Sequence, residues 1–166
     1  PNTPTASLVC CDSSQLNGND RVSVELQARQ LREADPLFAN WAQGYGVITH
    51  DALPQRRVHE LAKQLASEGA IVDSSDLLNL LSAADRLTSA ALNLVVHMTY
   101  ARRVRTNGGP LKPKDFKLSP EGHVGGSLNM VPAYVGYLAA NVLSAFTRGW
   151  VMGQGHCVAA IDAINL

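Results

Sequence analysis

The 166 residues are 46% hydrophobic, enough for one modest domain with a core and too many for a disordered tail. Fourteen Lys and Arg balance fourteen Asp and Glu. That neutrality argues against a general nucleic-acid binder, though not against a local phosphate site. Cys10, Cys11 and Cys157 contain no C-x-x-C pair, which fits reduced cytosolic thiols better than a disulfide framework.

Residues 1–20 are rich in Ser, Thr, Asn, Asp and Pro and predict a loose lead-in without a visible signal peptide. Val22 to Ala34 has helix formers, with Leu26 and Leu31 apolar. Asp35-Pro36 reads as an N-cap with Pro at N1, opening a short helix through Leu37, Phe38 and Trp41 that Gly44-Tyr45-Gly46 breaks. A helix from about Pro54 to Glu68 is expected to bury Val58, Leu61 and Leu65 and to stop at Gly69. The longest element, from about Ser75 to Val104, is apolar on most faces and predicts a central buried helix ended by Asn107-Gly108-Gly109-Pro110. Its leucines between residues 77 and 96 read as core or subunit interface. His97 reads as a core or interface histidine that finds a hydrogen bond before a catalytic group, while His50 and His59 carry no signal.

After the polar connector Lys112–Lys117 comes Gly122-His123-Val124-Gly125-Gly126-Ser127-Leu128. A helix is expected from about Leu128 to Phe146, and Thr147-Arg148-Gly149 makes a turn. Trp150-Val151-Met152 suits the first buried strand of a parallel sheet. Gly153-Gln154-Gly155-His156 would be the loop at its carboxyl end, where open α/β sheets place ligands. The next helix would start near Cys157, and such a terminus attracts phosphate. No apolar run reaches the ~18 residues of a membrane-spanning helix.

Glycine lets backbone approach a ligand where a Cβ would collide, and imidazole exchanges protons near neutral pH. Two glycine-set histidines at opposite ends of one helical hairpin therefore predict two walls of a pocket. The bland alternative is a pair of turns with surface imidazoles. Cys157 beside His156 is read as a small buried residue before a reactive thiolate. Zinc held by His123, His156 and Cys157 lacks ligand spacing and a fourth ligand. Arg102, Arg103, Arg105, Lys112, Lys114 and Lys117 form a basic stretch, read as a solvated helix end before a sugar-phosphate or partner site.

Gly122-His123-x-Gly, a helix, then a strand ending in Gly-x-Gly-His resembles the start of the thiamine-diphosphate enzymes of the transketolase and phosphoketolase group. Pro110-Leu111-Lys112-Pro113-Lys114-Asp115-Phe116-Lys117 is similar to the phosphoketolase connector, and Leu128-Asn129 also resembles phosphoketolases. The resemblance covers roughly residues 84–166. Two departures stand out: Val124 where phosphoketolases have Trp and transketolases Pro, and Cys157-Val158 where Gly-Gly usually follows.

The resemblance implies an α/β parent fold, the thiamine-diphosphate-binding fold with a parallel sheet flanked by helices. This piece would be mostly α with one or two short strands. Residues 1–80 would be a helical extension, and residues 81–166 the beginning of the diphosphate-binding domain. The implied activity is a lyase reaction of carbohydrate metabolism that cleaves xylulose 5-phosphate or fructose 6-phosphate between C2 and C3, with phosphate giving acetyl phosphate. Transketolase-type two-carbon transfer is the alternative. His123 would contact the substrate, and His156 the diphosphate and substrate hydroxyls. Gly122, Gly125, Gly153 and Gly155 would leave the backbone bare for the cofactor. Thiamine diphosphate and Mg²⁺ are implied, with metal ligands expected beyond residue 166, since no Gly-Asp-Gly occurs here. A cytoplasmic homodimer is implied for a longer protein of which this would be the inactive N-terminal part. The reading from another class is a non-catalytic helical interaction module.

Overall fold

The computed structural model describes residues 18–120, 124–144, 146–153 and 155–166. Six α-helices carry the described residues: α1 (Gly18–Ala34), α2 (Pro36–Ala42), α3 (Ala52–Ser67), α4 (Ser74–Tyr100), α5 (Val124–Val142) and α6 (Val158–Asn165). Short 3₁₀ turns occupy Pro113–Asp115 and Gly155–Cys157. The described chain is therefore mostly helical. Its β structure amounts to two isolated antiparallel bridges, Tyr45 with Ile48 and Ala101 with Phe116.

Local sequence explains the starts and stops. The Asp35 carboxylate accepts from the Leu37 and Phe38 amides at 2.8 and 3.2 Å, and Pro36 follows it, so α2 opens as the Asp-Pro pair predicts. Gly44 and Gly46 have φ of +74° and +61°, and a Cβ on Gly44 would collide with the Ile48 carbonyl. Only glycine makes that tight reversal without strain. Gly69, at φ +71°, ends α3 as expected.

The long helix α4 is central and packs against α2, α3, α5 and α6. Leu78 joins Phe38, Trp41 and Ala42 in one core cluster, and Val24, Ala28, Ala52 and Leu53 seal α1 on α3. Further along, Ala91, Leu94 and Val95 meet Val131 and Val135 of α5 and Ala160, Ala163 and Ile164 of α6. α4 runs unbroken through residues 80 and 81. Among the described residues no helix is long and apolar enough to cross a membrane.

Several expectations need correction. Leu61 is 40% exposed, because α3 turns Ala52, Leu53, Gln55 and Ala62 inward instead. α4 ends at Tyr100, well before Asn107. Ala101 turns to extended geometry to bridge Phe116, and the Lys117 amide donates to the Tyr100 carbonyl at 2.8 Å. α5 starts at Val124 rather than Leu128, so Gly125 and Gly126 lie in its first turns and not in a loop. Trp150-Val151-Met152 forms no strand. Trp150 lies on the rings of Tyr134 and Tyr137 (centroids 5.1 and 4.9 Å), and the Tyr137 hydroxyl donates to the Arg148 carbonyl. These contacts hold the segment on the flank of α5, leave Val151 95% exposed, and bring no strand alongside it among the described residues.

Candidate functional site

The α5 start and the Gly155–Cys157 turn meet. A Cβ built on Gly126 would stand 2.7 Å from Cδ2 and 3.1 Å from Nε2 of His156, so the imidazole lies against bare helix backbone. The buried Ser127 hydroxyl donates to the His156 carbonyl at 2.8 Å and ties the two segments together. The His156 side of this contact faces solvent, while Cys157 beneath it is buried. Burial takes the Cys157 thiol away from any reactive role. It caps no helix amide with its side chain. α6 starts at Val158, next to the expected position.

Of the residues expected to form the site, Gly122 and His123 lie outside the described residues. The structure brings together the Gly125-Gly126-Ser127 segment and His156. Gly125, Gly153 and Gly155 all have open space where a Cβ would stand, so nothing within the described chain demands glycine there. Among the described residues no three His, Cys, Asp or Glu side chains gather as metal ligands. His97 is buried as expected, and its Nδ1 has no hydrogen-bond partner among the described residues.

A second polar cluster escaped sequence reading. His50 Nε2 donates to Asp85 Oδ2 at 2.8 Å, with both side chains 14% exposed. The imidazole stacks on Trp41, with centroids 4.4 Å apart and planes inclined by 25°. The His50 carbonyl accepts from Gln55 Nε2 at 2.7 Å, and Gln55 Oε1 accepts from Arg32 at 2.5 Å. The chain of bonds thus runs from α1 through α3 to α4 and fixes the 43–50 loop. Beside it lies a cavity of about 80 Å³ lined by Asn40, Gln43, Tyr45, Ser82, Asp85 and Arg86. Ser82, Asp85, Arg86 and Ser89 recur at helical spacing on α4, and that polar stripe was the available signal. A carboxylate on one imidazole nitrogen fixes tautomer and ring orientation, which suits a structural clamp as well as proton transfer.

Comparison of the chain with family models, with curated proteins and with solved structures finds no match.

Proposed function

We propose that the chain is the N-terminal part of a thiamine-diphosphate-dependent, phosphoketolase-like enzyme that cleaves ketose phosphates and works in the cytosol as a homodimer. The contact of Gly126 with His156 carries this reading, because it joins the two glycine-histidine segments on which the resemblance rests. The residues present fit one wall of a cofactor site: bare backbone at Gly125, Gly153 and Gly155, with a solvent-facing imidazole beside it. The bound cofactor would supply the electron sink for carbon–carbon cleavage. His156 would hydrogen-bond the diphosphate or a substrate hydroxyl and hold a proton there, and His123 would do the same at the substrate. Ser127 would fix the backbone from which His156 projects. Ligands for Mg²⁺ would come from residues past 166.

The exposed coil at 150–153 favours a second reading, a helical module without catalysis, since it forms no strand from which a ligand loop would leave. The test uses the protein extended along its reading frame, supplied with fructose 6-phosphate or xylulose 5-phosphate, inorganic phosphate, thiamine diphosphate and Mg²⁺. Acetyl phosphate formed by the parent and lost in His123→Ala and His156→Ala supports the enzyme. Transfer of two carbons to an added aldose selects the transketolase outcome. Absence of both products leaves the module, whereas variants as active as the parent overturn the roles given to His123 and His156.

A further inference from the structure

Six of the fourteen Lys and Arg side chains fall between residues 102 and 117, against one acid, Asp115. The fold gathers four of them around one cleft. The Ala101–Phe116 bridge and an Arg102 amide donating to the Asp115 carbonyl at 2.9 Å lay the arginine-rich segment beside the Pro113–Asp115 turn. Between them opens a cleft of about 460 Å³, lined by Arg102, Arg103, Val104, Arg105, Lys114 and Asp115.

Five of the six cations divide by role. Lys117 Nζ donates to the Met98 carbonyl at 3.1 Å and complements the carboxyl end of α4, as a solvated helix end would. Arg105 lies 2.8 Å from Asp115 Oδ1, whose other oxygen accepts the Lys112 amide at 2.9 Å. That amide, with the charges of Arg105, Lys114 and Lys112, holds the Asp115 carboxyl below the usual range against the opposing effect of burial. Asp115 is therefore ionised at neutral pH and neutralises Arg105. Arg102 Nε donates to the Phe116 carbonyl at 3.0 Å, which fixes the guanidinium at the cleft wall. No ion pair within the described residues engages Arg102, Arg103 or Lys114. Three cations outside any ion pair among the described residues thus line one cleft on a chain of zero net charge.

Close like charges repel, and an anion relieves that repulsion. Guanidinium forks match phosphoryl oxygens in bidentate geometry, and an ammonium adds a point charge. The cleft volume falls in the range of small-molecule sites, larger than one phosphate needs. Val104, 47% exposed, offers an apolar surface between the charged walls. We propose that this cleft binds a small molecule with two phosphate esters on a short carbon skeleton, its phosphoryl groups on Arg102, Arg103 and Lys114. The inference does not rest on the activity proposed above.

The test is an amide NMR titration of the 166-residue chain at low ionic strength, with fructose 1,6-bisphosphate as the probe. Fructose 6-phosphate and thiamine diphosphate serve as comparisons. Saturable shifts at residues 102–105 and 114–115 are expected, with affinity about tenfold or more above that for either comparison ligand. Arg103→Glu and Lys114→Glu each weaken the bisphosphate by about tenfold or more, while amide positions elsewhere stay unchanged and report an intact fold. A bisphosphate bound no tighter than the monophosphate, or charge-reversed variants that bind as the parent does, overturns the proposal. So does an oligonucleotide or acidic peptide that holds the same amides more tightly than the bisphosphate.

Discussion

His156 rests on Gly126 so closely that a single added methyl would stand 2.7 Å from its Cδ2. The obstructed atom belongs to the far end of a solvent-facing side chain, so the ring yields and the helices stay. Alanine also favours a helical position over glycine by up to about 1 kcal/mol. Gly126→Ala should therefore move the thermal midpoint by no more than about 2–4 °C while shifting the His156 ring resonances. Unshifted ring signals would show that the contact does not form in solution.

Leu78 is 1% exposed among Phe38, Trp41 and Ala42, where α4 closes over α2. Leu78→Ala removes packed methyl groups and leaves a void, so a loss of about 2–5 kcal/mol is expected. Urea unfolding measures it, with the midpoint falling and the slope unchanged.

The Asp35 carboxylate serves two amides at the start of α2. Asp35→Ala should cost about 1 kcal/mol, and Asp35→Asn, which keeps an acceptor, should recover most of it. Equal losses for the two variants would trace the effect to charge and not to the cap.

Desolvation, with help from the Lys63 ammonium and against Glu60, pushes the His59 imidazole below its ordinary value of 6.5. The folded chain then binds fewer protons than the unfolded chain between the two values, so stability rises with pH in that window. His59 stabilises the fold fully above the unfolded value. That contribution drains away as pH falls through 6.5 towards the lower folded value. His59→Gln should flatten the slope of stability against pH there, read from urea midpoints between about pH 5 and pH 7.5. A slope identical to the parent's would refute the shift.

Helix periodicity and capping chemistry made most of the fold legible: the Asp35-Pro36 start, the Gly69 stop and the buried length of α4 all follow from local residue choice. What local pattern missed came from tertiary contacts. Tyr134 and Tyr137 of α5 hold Trp150 against their rings, and no strand lies beside its neighbours among the described residues. The Ala101–Phe116 bridge cuts α4 short of its apparent stop. Of the site, the meeting of α5 with the Gly155–Cys157 turn was legible as two glycine-set segments. The His50–Asp85 pair was not, because its partners lie 35 residues apart and no local spacing links them.

The two indoles of this chain live in opposite solvent regimes: Trp41 is sealed at 3% exposure, and Trp150 stands 38% open on its tyrosine bed. Iodide should therefore quench the second emission and spare the first. A single fluorescence trace then follows the α2–α4 core and the α5 flank as separate signals, and reveals whether they melt together or one after the other.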